Sequence, residues 1–141
     1  RAALSDGNIH ISNDLLGRFY TLTGFVKDGD RIGRNIGFPT ANIDVPESYK
    51  LIPGDGAYAV YVHWQNHKYQ GMLNIGQRPT VSGHERRIEV NIFNFDRNIY
   101  NERLTIEFVR QLRKEKKFES IKDLKSQLEI DKQSVIKILE Q

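Results

Sequence analysis

Cysteine is absent from the 141 residues, which excludes disulfides, thiolate zinc ligands and thiol catalysis and fits a reducing, cytoplasmic setting. Long apolar runs are missing too. The longest is six residues, 57–62, against the roughly 20 that a transmembrane helix needs, so no membrane partner is expected. Neither sign of charge dominates, with 21 Lys and Arg against 18 Asp and Glu and a formal net charge of +3; that excess is too small to argue for nucleic acid. Internal repeats and low-complexity tracts are lacking, as is an initiating methionine, and Arg1 in its place suggests a piece excised from a longer chain. What is present, 38% hydrophobic and 28% charged residues, is the profile of one compact domain. At this length about two thirds of the surface of the unfolded chain can be buried.

Residues 1–17 read as a short helical lead-in that Gly17 stops. The period then changes. Residues 19–26, 57–64, 68–73, 87–95 and 104–109 are rich in β-branched and aromatic side chains and approach strict alternation, which predicts strands. Asp28-Gly29-Asp30, Gln65-Asn66-His67, a Gly/Pro segment and Asp96-Arg97-Asn98 separate them. Short strands with turn signals and no intervening helices indicate a closed or nearly closed barrel. From 119 onward Ile121, Leu124, Leu128, Val135, Ile136 and Leu139 recur at helical spacing. Ser120 with Asp123 makes an N-cap, and Asp131 is read as the start of a second helix after a break near Ile130.

The loop from Gly29 to Gly37 has three glycines in nine residues, with Arg31 and Arg34 among them. Such a loop brings backbone amides close to a ligand and suits phosphates. Pro39 disfavours the helical region for Phe38, so the chain leaves the loop extended. Thr40 and Asn42, two apart, then share one face of a strand, an oxygen pair suited to a hard cation such as Mg²⁺. Glu89 sits between Ile88 and Val90; if those two enter the core, alternation turns the carboxylate to the other face. Arg110, Arg113, Lys114, Lys116 and Lys117 surround the single acid Glu115 and can attract an anion, although such runs are commonly only solvated. His10, His63, His67 and His84 have no metal-ligand spacing, and Trp64 and Met72 are assigned to packing.

The string GRNIGFPTAN (33–42), the GAYAV strand (56–60), NIGQRPT (74–80, read as a turn), Ile88-Glu89-Val90 and LRKEKKF (112–118) resemble the riboflavin kinase family, in the family's order, over roughly residues 18 to 131. RAALSDG (1–7) and LLGR (15–18) look like the junction that precedes this module in bifunctional bacterial FAD synthetases, whose N-terminal FMN adenylyltransferase signature H-x-G-H does not occur here. The resemblance implies a mainly β fold, a six-stranded antiparallel Greek-key barrel over about 18–112 with a helical flank at about 119–141. It implies a kinase domain spanning 18–141 that transfers the γ-phosphate of Mg-ATP to the riboflavin 5′-hydroxyl, giving FMN and ADP. By the same resemblance Glu89 would be the catalytic base. Gly29, Arg34, Thr40, Asn42, Ile92 and Tyr100 would contact nucleotide, with Thr40 and Asn42 also holding Mg²⁺. Arg113, Lys116 and Phe118 would contact the flavin. The two substrates are expected to meet inside the barrel. Asn91 stands where the family usually has histidine, Asn94 where it often has aspartate, and Asn101 where it has glycine, a replacement that tolerates left-handed φ. A single-strand nucleic-acid-binding barrel and a redox flavin barrel are the rival readings; Glu89 with Thr40 and Asn42 argues against the redox one.

Overall fold

A computed structural model describes residues 19–27, 37–45, 52–95 and 97–140, except the side chains of 78–80 and 84. The lead-in at 1–17 and the loop residues 28–36, with Gly29, Arg31 and Arg34, lie outside the described residues. Six strands, β1 (Tyr20–Lys27), β2 (Ala41–Asp44), β3 (Gly56–Trp64), β4 (His67–Thr80), β5 (Gly83–Ile92) and β6 (Arg103–Arg113), precede one helix, α1 (Ile121–Leu139). All strand pairs are antiparallel, and the sheet closes as β1-β2-β5-β4-β3-β6. The neighbours β2/β5 and β3/β6 give the Greek-key connectivity. The expected barrel and helical flank are therefore both present.

Alternation fills the lumen. Tyr58, Val60, Val62, Leu73, Ile75, Val90, Leu104, Ile106 and Phe108 point inward and are almost fully buried, with Phe108 edge-on to Tyr58 at 5.3 Å between ring centroids. The intervening residues face outward, and Ala59 and Met72 on that face pack with Phe38, Phe93, Val135 and Leu139 of a second apolar cluster. The small side chain of Ala59 lets α1 approach the barrel wall. The interior thus has no room for substrates, which corrects the expectation that they meet inside the barrel.

Three further readings change. NIGQRPT is not a turn; it continues β4, paired with β5 as far as Thr80 opposite Gly83. The two-residue turn comes later, at Val81-Ser82. The extended segment expected to carry Asn42 is β2, which alternation alone does not reveal because four residues carry too little periodicity. The break near Ile130 does not exist: α1 runs through it, with Ser120 Oγ accepting from Asp123 N at 3.1 Å as expected for the cap. Asp131 suggested a new helix start because acids favour first turns, but here it lies mid-helix on the buried stripe with Val135 and Leu139, its charge met by Arg113. At the other turns Gln65 and Asn66 have φ of 49° and 66°, a type I′ hairpin, and Asn101 adopts φ 66° as its tolerance suggested.

Two predictions follow from this packing. Leu139→Ala, removing a side chain from the α1 seam, costs about 2–5 kcal/mol, whereas Ile130→Ala, on the exposed side at 60% relative accessibility, stays within about 0.5 kcal/mol; urea unfolding distinguishes them. Burial pushes the Tyr58 hydroxyl from 10.0 up to about 12, and that hydroxyl donates to Gly54 O. Ionisation is harder in the folded state, so stability held below pH 10.0 is lost as pH rises toward about 12. Tyr58→Phe flattens that part of the stability-against-pH curve.

Candidate functional site

The outward residues of the wall converge on one cavity. Strand register joins six positions, one per strand, into a row that crosses the sheet: Lys27, Asn42, Glu89, Asn74, Ala57 and Arg113. Glu89, Asn74, Ala57 and Arg113 of that row line a cavity of about 250 Å³ between the wall and α1. Thr40, Phe38 and Asn91 line it as well, with Glu115, Lys116 and Phe118 from the segment after β6 and Leu124, Leu128 and Asp131 from α1. The lining combines apolar side chains with acid, hydroxyl and cationic groups, the mix expected of a small-molecule site.

Each side chain arrives there for a local reason. Glu89 lies between Ile88 and Val90, 6% and 1% exposed, whose burial in the lumen sends its carboxylate to the outer face. There its side chain is 19% exposed and Arg87 Nη1 stands 3.7 Å from Oε1. Asn91, two residues on, is buried, and its Nδ2 donates to Pro39 O at 2.6 Å. The residue flagged only as a departure thus ties β5 to the segment carrying Phe38 and Thr40. A bulge sets Arg113: Tyr58 pairs with Gln111 but Ala57 with Arg113, so Leu112 is skipped and Arg113 takes the outward place. Gly56, at φ +149°, permits this, since a Cβ there would stand 2.6 Å from Arg113 O.

Arg113 is held firmly. Its Nε and Nη2 donate to the Asp131 carboxylate at 2.9–3.2 Å, Gln127 Nε2 donates to Asp131 Oδ1 at 2.9 Å, and Nη1 donates to Lys114 O at 3.3 Å. The Arg113 Cζ and Lys116 Nζ atoms each lie 5.7 Å from the centroid of the Phe118 ring. Glu115 turns back along the wall, where Asn74 Nδ2 donates to its Oε2 at 3.4 Å. The basic run is therefore divided: Arg113 and Lys116 enter the site, while Arg110, Lys114 and Lys117 are exposed and are not among the lining residues.

Of the residues singled out from sequence, Glu89, Thr40, Arg113, Lys116 and Phe118 share the cavity. Asn42 sits beside them in register with Glu89. Ile92 and Tyr100 are not brought there: Ile92 packs in the barrel core, and Tyr100 is half exposed in the turn before β6, its backbone N bonded to Asn98 Oδ1. Sequence reasoning missed Asp131, Glu115 and Phe38. The signal for Asp131 was an acid on the same helical stripe as Val135 and Leu139, four and eight residues on. His63 pairs with Glu107 and His67 stacks near Tyr69, both away from the cavity, and Trp64 and Met72 are buried in packing as expected, Met72 also forming part of the cavity floor.

Thr40 and Asn42 offer neutral hard oxygens, and among the described residues no group of three or more His, Cys, Asp or Glu is placed to hold a metal. This donor set fits Mg²⁺ that keeps waters and phosphate oxygens as its other ligands, and does not make an all-protein cage.

The model of the Flavokinase family, described as riboflavin kinase, matches residues 16–139. The chain is 42% identical over 142 residues to a bifunctional riboflavin kinase/FMN adenylyltransferase of Bacillus subtilis, covering 97% of this chain and 44% of that protein. To the protein of the same description from Listeria monocytogenes it is 43% identical, covering 94% of this chain and 42% of the other. The chain thus spans less than half the length of the curated relatives it matches. Among solved structures, one from Streptococcus pneumoniae described as a macrolide-efflux protein superposes with a TM-score of 0.89 at 37% identity, covering 95% of this chain and 44% of the other. Among the described residues no helix is long and apolar enough to cross a membrane. Riboflavin kinase of Trypanosoma brucei shares the fold, with a TM-score of 0.59 at 21% identity over 86% of this chain and 80% of that one. Barrel, cavity and a family match running almost from end to end agree: this chain belongs to the riboflavin kinase family.

Proposed function

We propose that the chain transfers the γ-phosphoryl group of ATP to the 5′-hydroxyl of riboflavin, giving FMN and ADP, and that it is the kinase part of an enzyme that also carries an FMN adenylyltransferase module. The observation that carries the reading is the meeting of Glu89 and Thr40 with Arg113, Lys116 and Phe118 on one cavity. A primary alcohol is a poor nucleophile, and a carboxylate within reach of its proton raises the rate by about 10²–10⁴.

Glu89 accepts that proton as the oxygen attacks phosphorus. Its strand position, locked by two core neighbours, supplies the fixed geometry that in-line transfer requires. An ordinary carboxylate is a weak base, so positioning contributes more than proton transfer does. Thr40 and Asn42 hold the nucleotide's divalent cation, Mg²⁺ in this reading, which when bound neutralises phosphate charge as it develops. Phe118, Leu124 and Leu128 offer apolar surface to the isoalloxazine, and Arg113 and Lys116 donate to its carbonyls or to the new phosphate. α1 and the segment 114–118 exclude water from one side of the reacting groups. Gly29 and Arg34 are assigned to the ATP phosphates.

Incubation of the chain with riboflavin and Mg-ATP, followed by chromatography, yields FMN and ADP in equal amounts; a folded protein that forms neither refutes the proposal. Glu89→Gln lowers kcat by about 10²–10⁴ while the KM for ATP changes little, because the carboxamide keeps the shape of the wall. Steady-state rates over both substrates test this, and an unchanged kcat removes Glu89 from the chemistry.

A further inference from the structure

Of the acids lining the cavity, Glu115 and Asp131 have no task in the proposed chemistry, and of those two Asp131 is the buried one. Its side chain is 5% exposed in the middle of α1, where a carboxylate gains nothing from the helix ends. The same stripe uses Val135 and Leu139 to dock the helix four and eight residues later. A buried ion pair is seldom more stabilising than an apolar pair of similar volume, so docking alone does not account for an acid here.

What Asp131 does hold is the plane of a guanidinium. Both carboxylate oxygens are engaged by Arg113 through Nε and Nη2, and Gln127 fixes Oδ1 from the same helix. Such a two-point fork sets orientation as well as distance. Of the five N–H groups of a guanidinium, Nε and one on Nη2 are committed to Asp131 and one on Nη1 to Lys114 O, which leaves one on each Nη for an acceptor in the cavity that Arg113 lines. The Phe118 ring, 5.7 Å from Cζ, lies against the group so fixed.

We propose that Asp131 is a positioning residue for riboflavin: acting through Arg113, it presents two N–H donors and the adjoining Phe118 ring in a fixed arrangement to the flavin. The inference rests on the riboflavin kinase reading above. An untethered arginine must lose its rotamer freedom when the substrate arrives, and that loss falls on riboflavin affinity, not on ATP.

The test compares the wild-type chain with Asp131→Asn, Asp131→Leu, Arg113→Ala and the Arg113→Ala/Asp131→Asn pair, by flavin fluorescence quenching, steady-state kinetics and thermal melting. Asp131→Asn raises the riboflavin Kd and KM by about ten- to a hundredfold, the loss of a charge-assisted pair, with the KM for ATP within about twofold. Asp131→Leu continues the apolar stripe and remains folded, yet shows the same loss. In the Arg113→Ala background the asparagine substitution adds less than about twofold. The proposal is overturned if folded Asp131→Leu or Asp131→Asn binds riboflavin like the wild type, if ATP and riboflavin constants rise together, or if the asparagine effect is as large without Arg113. A wild-type chain that binds no riboflavin instead defeats the kinase reading itself, and this inference with it.

Discussion

The lumen of a six-stranded barrel is just wide enough for its own side chains, and everything functional in this molecule follows from that exclusion. Tyr58, Phe108, Leu73 and Ile75 occupy the axis with almost no exposed surface. Because side chains alternate along a strand, each inward residue obliges its neighbours to face outward. Glu89 and Asn91 face outward because Ile88, Val90 and Ile92 face inward. The barrel therefore works from its outer wall, and an outer wall needs a cover if polar chemistry is to proceed away from bulk water. α1 and the segment between β6 and α1 supply that cover.

Much of this arrangement was legible in the residues. Alternation in β1, β3, β5 and β6 is strong enough to announce strands, and the position of Glu89 between two apolar residues already implied that its carboxylate turns away from the core. Two of the departures share one physical cause: a local signal competes with pairing between distant residues, and pairing wins. Gly76 and Pro79 read as a turn in NIGQRPT, yet β5 supplies partners for that whole stretch and the strand continues. Asp131 read as a helix start, yet Arg113, eighteen residues earlier, makes a buried acid tolerable in mid-helix. No window of a dozen residues contains both members of that pair.

The site was legible in composition more than in geometry. Thr40, Glu89, Arg113, Lys116 and Phe118 were recognisable as a set by resemblance, but nothing in their spacing showed that a bulge at Leu112 and the absence of a side chain at Gly56 would set Arg113 opposite Ala57. The basic run illustrates the same limit. Five cations in eight positions look equivalent in sequence, and only the end of β6 and the path of the chain beyond it separate those that face the cavity from those that do not.

The row of register-matched residues also bounds the kind of molecule the wall can serve. From Glu89 on β5 to Arg113 on β6 the path crosses β4 and β3, three strand intervals of about 4.8 Å, or roughly 14 Å measured around the wall. A ligand that touches both must be elongated, with acceptors for a guanidinium at one end and the reacting group at the other. Between them Ala57, Met72, Leu124 and Leu128 provide apolar surface, so the middle of the ligand gains by being hydrophobic and flat. A ring system with carbonyls at one edge and a hydroxylated chain at the other meets all three conditions, whereas a small sugar or amino alcohol would be too short to reach both the acid and the guanidinium. Selection for a ligand of that shape thus begins in the spacing of the strands, before any single contact is counted.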